Sequence, residues 1–156
     1  MRRLKIYLDT SVINFAVSDN PEMALRKGAT VSLIERINKS EYSGYISELV
    51  LVEIDKSDEA RRIVLRNYLK TTNVEILPNS SEAEQLADKY VMEEIIPEKY
   101  RDDAVHIALA TISGIDFIVS WNFEHMVKTK TRRGVKAVNE LFGYQFVDIV
   151  TPEEVE

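Results

Sequence analysis

The chain has 156 residues, 45% of them hydrophobic and 29% charged, with a net charge of −6 and a pI near 5.1. These values suit a globular protein long enough to build one core, and they exclude a generic nucleic-acid-coating protein, which is normally basic. Cysteine is absent, so disulfides and thiolate metal sites are excluded; with two His in the chain, a carboxylate site for a hard cation is the favoured kind of metal site.

The elements follow from hydrophobic period and from start and stop residues. Ile6 to Leu8 is a short apolar and aromatic strand that ends on Asp9, Thr10 and Ser11. Val12 to Val17 reads as a helical turn. Asp19-Asn20-Pro21-Glu22 is a helix start, and Met23 to Asn38 carries Leu25, Ala29, Leu33, Ile34 and Ile37 at helical spacing. Gly44 to Ser47 is a strand running into helices at Glu48 to Lys56 and Asp58 to Lys70. Asn73 to Leu77 alternates as a strand does. Ser80 or Ser81 caps a helix from Glu82 to Ile96, which Pro97 breaks. Arg101 to Ser113 is a nearly all-apolar helix ended by Gly114. Asp116 to Ser120 is a second buried strand, Trp121 to Arg133 is irregular or partly helical, and Gly134 to Phe142 is a helix ended by Gly143. Gln145 to Val150 is the last strand, and Thr151 to Glu154 starts a final turn. Alternation of this kind predicts one domain over residues 1–156, a three-layer α/β/α fold around a central parallel sheet. No apolar run is long enough to span a bilayer, and Asp9 interrupts the N-terminal run too early for a secretory signal, so a cytoplasmic protein is expected.

In such a fold ligands bind outside the carboxyl ends of the strands. Asp9 stands there, either as the cap of the next helix or as a cation ligand. Glu53 is the one charge in the apolar block Leu49 to Ile54. A carboxylate in such surroundings needs a partner or a metal, unless it lies on the polar side of its helix with Lys56 and Ser57. Asp102 and Asp103 open the buried helix. One Asp suffices as a cap, which leaves Asp103 directed inward. His106 lies three residues on, and a lone His in an apolar helix is more often a hydrogen-bonded core residue than a ligand. Ser120 and Asn122 end the second buried strand as Asp9 and Ser11 end the first, whereas Asp116 begins that strand and reads as structural. His125 either orients Asn122 or is solvated. Lys128, Lys130, Arg132, Arg133 and Lys136 follow with no acid among them, as a solvated helix start or as a phosphate-facing rim. Trp121 and Tyr100 are core or rim aromatics with some capacity to stack on bases.

The succession Asp9-Thr10-Ser11-Val12-Ile13, Glu53 in its apolar helix, Asp103-Ala104-Val105-His106-Ile107-Ala108 and Ser120-Trp121-Asn122-Phe123, closed by Thr151-Pro152-Glu153-Glu154, resembles the PIN-domain family over essentially the whole chain. The resemblance implies a metal-dependent endoribonuclease using Mg²⁺ or Mn²⁺, with RNA as substrate. It also implies a VapC-type toxin with an antitoxin partner and a homodimeric state. It places Asp9, Glu53 and Asp103 as metal ligands and catalytic acids, with Thr10 or Ser11 as orienting hydroxyl. Asn122 stands where a fourth acid is common, as an auxiliary ligand that adds no charge. Converging carboxylates repel one another, and a divalent ion relieves that repulsion while activating a bound water. Lys128, Lys130, Arg132 and Arg133 would then rim the RNA cleft. The Asn at position 122 also suits a second reading, a catalytically weak or inactive PIN-fold module that binds RNA or a protein partner. A phosphatase-like use of Asp9 as nucleophile fits less well, because that chemistry wants a second Asp two residues on, where Ser11 stands. No Gly-rich phosphate loop or nucleophile elbow is present.

Overall fold

Ile6, Tyr7 and Leu8 are completely buried, and a strand buried on both faces belongs at the centre of a parallel sheet. The computed structural model describes residues 2–155, and it puts β1 (Lys5–Leu8) in that place. With β2 (Ser43–Ser47), β3 (Val74–Leu77), β4 (Phe117–Val119) and β5 (Asp148–Val150) it forms a five-stranded sheet of order β3-β2-β1-β4-β5, all neighbours parallel. The chain steps outward from β1 to β3, then returns across β1 to β4 and β5. Because crossovers keep one hand, reversing the direction of travel sends the helices to the opposite face. On one face α1 (Thr10–Ala16) packs against α2 (Ala24–Asn38), α3 (Glu48–Asp55) and α4 (Glu59–Lys70). On the other, α5 (Ser81–Met92) packs against α6 (Arg101–Ile112) and α7 (Thr129–Leu141). The result is the three-layer α/β/α arrangement with a central parallel sheet. The strand order reverses between β1 and β4, so the crevice at their carboxyl ends is the place where such folds bind ligands.

Most boundaries lie within a residue or two of the sequence reading, and four readings need correction. Asp102 does not cap α6: Tyr100 occupies the cap position, and Asp102 is an exposed first-turn residue. The helix expected to reach Ile96 stops at Met92, because Glu94 turns the chain with a φ of 58° and carries Ile95 and Ile96 back into the core. α7 begins at Thr129 and runs straight through Gly134, the residue that looked like its start. A Cβ at Gly134 would lie 2.7 Å from Ile95 Cγ1, so glycine is there for close packing of α7 on the Ile95 turn. β5 is only Asp148–Val150. Gly114 and Gly143 adopt φ of 70° and 78° and end α6 and α7 as expected. No helix among the described residues is long and apolar enough to cross a membrane.

Gly44 shows how tightly α2 is laid on the sheet. A Cβ there would meet Ile37 Cγ2 at 2.6 Å and Val74 Cγ1 at 3.1 Å. Both neighbours belong to packed elements, so Gly44→Ala is expected to cost about 1–3 kcal/mol through overpacking. Urea denaturation measures it; an unchanged midpoint would show that α2 can lift from β2 without penalty.

Candidate functional site

The crevice is built from the first residues after β1, the first turn of α6, the middle of α3 and the loop after β4. Asp9 is buried and is the N-cap of α1, its Oδ1 accepting from Val12 N at 3.2 Å. The same oxygen accepts from Ser11 Oγ at 2.5 Å, and Oδ2 accepts from Ser120 Oγ at 2.5 Å. Ser11 Oγ in turn accepts from Trp121 N at 2.9 Å. β1 and β4 are therefore clamped together beyond their last paired residues, Leu8 and Val119, by a carboxylate and two hydroxyls. Of the two readings for Asp9, the cap is a direct feature of the structure.

Glu53 points from α3 toward α6. Its Oε1 accepts from Thr10 Oγ1 at 2.7 Å and from His106 Nε2 at 2.5 Å. His106 Nδ1 meets Tyr7 OH at 2.6 Å, and that hydroxyl meets Ser47 Oγ at 2.7 Å. The chain Ser47–Tyr7–His106–Glu53–Thr10 thus runs under the crevice from β2 to α1. If Tyr7 donates to Ser47, the imidazole donates from both nitrogens and is an imidazolium. The electrostatics agree. Burial pushes the His106 pKa down, but the Glu53 hydrogen bond and the charges of Glu53, Asp9 and Asp103 outweigh it, so the net shift is upward. Burial raises Glu53, but the His106 bond and charge and the Thr10 hydroxyl bring it below its usual range.

Asp103 and Asp9 fare differently. Burial, with smaller repulsion from Asp9 and Glu53, raises Asp103 to about 6 despite the opposing charge of His106. Burial raises Asp9 as well, against the pull of His106 and its hydroxyl partners. The three acids therefore share one electrostatic neighbourhood, with His106 as the basic group among them. Asn122 completes the wall. Its Nδ2 donates to Asp103 Oδ2 at 3.2 Å, its Oδ1 accepts from His125 N at 3.0 Å, and its own N–H donates to Ser120 Oγ.

As placed, these side chains do not present three ligands to one divalent cation, although Glu53 Oε2 and Asp103 Oδ1 accept no hydrogen bond among the described residues. Glu53 Oε1 already holds two donors, both Asp9 oxygens hold hydroxyls, and the Asn122 oxygen is used by a turn while its nitrogen faces Asp103. Among the described residues no group of three His, Asp or Glu stands ready to hold a metal ion. Coulombic coupling spreads over longer distances than coordination, so acids can repel one another without converging on one ligand position.

The basic run begins directly after the turn in which Val127 N donates to Asn122 O at 2.8 Å. Lys128 precedes α7 and Lys130 and Arg133 lie in its first turns, all three exposed, and no side chain caps the helix. Arg132 instead pairs with Asp148 at 3.2 Å. Asp116 accepts from Arg2 and from Lys5 N at the far end of the sheet, away from the crevice. Trp121 is core, its Nε1 donating to Thr30 Oγ1 at 2.8 Å. His125, far from being solvated, is buried against Tyr100. The residues that sequence reasoning left outside the site are His106, Tyr7 and Ser120. The available signal was the pair of oddities Glu53 and His106, each a polar group in an apolar helix and each in need of a partner.

No protein-family model matches the chain, and no curated protein matches it. Solved structures do. VapC20 of Mycobacterium tuberculosis, a sarcin-ricin loop cleaving toxin, superposes with a TM-score of 0.57 at 16% identity over 92% of this chain and 98% of that one. DNA-bound VapBC of Salmonella typhimurium gives 0.55 at 19% identity, covering 96% and 98%. VapBC2 of Rickettsia felis, bound to a promoter DNA fragment, gives 0.56 at 17% identity, covering 78% and 90%. At these identities the likeness is one of fold: this chain has a PIN-like fold resembling that of the VapC and VapBC proteins.

Proposed function

We propose that this chain is a PIN-fold module that binds RNA beside its acid crevice and is a weak or inactive nuclease. The observation that carries this reading is the seat of His106 on Glu53. Three clustered carboxylates need a counter-charge, and His106, its pKa raised mainly by Glu53, is the side chain placed to supply it instead of a divalent ion. Lys128, Lys130 and Arg133, exposed at an uncapped helix start next to the Asn122 loop, offer the crevice rim a positive edge for phosphates. Likeness to VapBC structures supports a second partner, a small protein of the antitoxin kind.

The competing reading is a Mg²⁺- or Mn²⁺-dependent endoribonuclease with Asp9, Glu53 and Asp103 as ligands and Asn122 as auxiliary. Its support is the mutual repulsion that helps lift Asp103 to about 6. Calorimetry with Mn²⁺, paired with RNA binding and cleavage in EDTA and in Mn²⁺, separates the two. The expected result is Mn²⁺ binding no tighter than millimolar, unaltered by Asp9→Asn, with RNA binding that survives EDTA. Tight, saturable Mn²⁺ binding lost in Asp9→Asn, together with metal-stimulated cleavage, would overturn the module in favour of the nuclease.

A further inference from the structure

Two exposed aromatic side chains stand beside the crevice and take no part in its hydrogen-bond network. Tyr100 ends the one-turn helix Glu98–Tyr100 and is 39% exposed. Its ring lies on His125, 4.0 Å between centroids and 29° between planes. His125 is buried, yet neither ring nitrogen has a hydrogen-bond partner, and Glu124 Oε1 is 3.5 Å from Nε2. His125 backs the Tyr100 ring and holds its plane, and its backbone N–H ties the stack to Asn122. Phe123 follows Asn122 and is 45% exposed. The Arg26 guanidinium lies 5.0 Å from the Phe123 ring centroid and 5.4 Å from that of Trp121. Lys99 Nζ lies 5.7 Å from the Tyr100 centroid.

The charges around these rings decide what they suit. Each ring has a cation near its face, Lys99 at Tyr100 and Arg26 at Phe123. The face of a nucleobase is uncharged and gains the full stacking contribution, strengthened by a cation at the ring. The cations without acids, Lys128, Lys130 and Arg133, come five to ten residues after Phe123 and are left for the backbone.

We propose that Tyr100, backed by His125, and Phe123, backed by Arg26 and Trp121, are two stacking platforms for unpaired nucleobases. The inference rests on the RNA-binding reading above. Bases in a duplex keep their faces covered, and only a single strand can offer them to a flat side chain.

The test is fluorescence anisotropy with a labelled single-stranded oligoribonucleotide, an abasic ribose-phosphate strand of the same length and the corresponding duplex, all in EDTA. The normal strand is expected to bind at least about tenfold more tightly than either control. Tyr100→Ala and Phe123→Ala each weaken it by roughly five- to hundredfold, whereas Tyr100→Phe, which keeps the ring, binds as the parent does. Trp121 is the one Trp of the chain, its ring 6.2 Å from that of Phe123, so its emission reports occupancy of that platform directly. Equal binding of normal and abasic strands, or a Tyr100→Ala variant of parental affinity, overturns the platforms while leaving RNA binding in place. Failure of every strand to bind overturns the RNA reading itself, and the platforms with it.

Discussion

His106→Ala is expected to destabilise the protein by about 2–3 kcal/mol at pH 6. Removing one partner of a buried ion pair costs about 3–5 kcal/mol, because the other charge stays buried and unpaired. Here the Glu53 side chain keeps 26% exposure, so water screens part of that cost. The variant also strips Tyr7 OH of a partner and removes the basic group that most favours ionised Asp9 and Asp103. The pH dependence separates charge from packing. His106 is raised above its ordinary 6.5 in the folded state, so its contribution is complete below pH 6.5 and is lost as pH rises through the folded value. Glu53 is lowered below 4.5, so its contribution is complete above pH 4.5 and is lost as pH falls through the folded value. The stability difference between parent and His106→Gln should therefore be greatest from about pH 4.5 to 6.5 and shrink on both sides. Asp103 adds a term of opposite sign. Raised from 3.8 to about 6, it makes the fold less stable as pH climbs through that window, and without His106 it should titrate higher still. Denaturant melts across this range, with carboxyl NMR on Asp103, measure both. A difference curve flat in pH would mean that His106 acts by packing alone.

The same network marks where sequence reading stops. β1 and α6 were legible because their burial is written in local composition: three apolar residues before Asp9, and a helix apolar nearly all round. The meeting of Asp9 with Ser120 was half legible, since both stand just beyond a buried strand. The pairing of Glu53 with His106 was not, because a separation of 53 residues hides it until the sheet order is known. Each residue alone had an ordinary explanation; only the two together amount to a donor and an acceptor in search of each other. α7 was misplaced for a different reason. Gly134 lowers local helix propensity, but its missing Cβ is what admits Ile95, so tertiary packing overrides the local signal. The end of α5 was obscured likewise, because Ile95 and Ile96 continue the apolar pattern after the helix has stopped.

Lys128→Ala, Lys130→Ala and Arg133→Ala combined should weaken RNA binding by about a hundredfold at ~0.1 M salt. Each phosphate neutralised on a single strand contributes about 0.7 to the slope of log affinity against log salt, so three contribute about 2, and ten-fold dilution from ~1 M turns that slope into two decades. The net charge of −6 does not forbid such binding, because beyond a Debye length of ~10 Å distant acids are screened and the local cations decide. Arg132 is the internal comparison. It sits in the same basic run, yet its guanidinium is 3.2 Å from Asp148 at the start of β5. Arg132→Ala is therefore expected to leave the salt slope unchanged and to cost less than about 1 kcal/mol of stability, the size of a half-exposed pair. A slope reduced as much by Arg132→Ala as by one of the other three would mean that the Asp148 pair opens when RNA binds. A triple variant that keeps the parental slope would place the phosphate contacts elsewhere, and Arg26 and Lys99, the cations at the aromatic rings, would then be the next to replace.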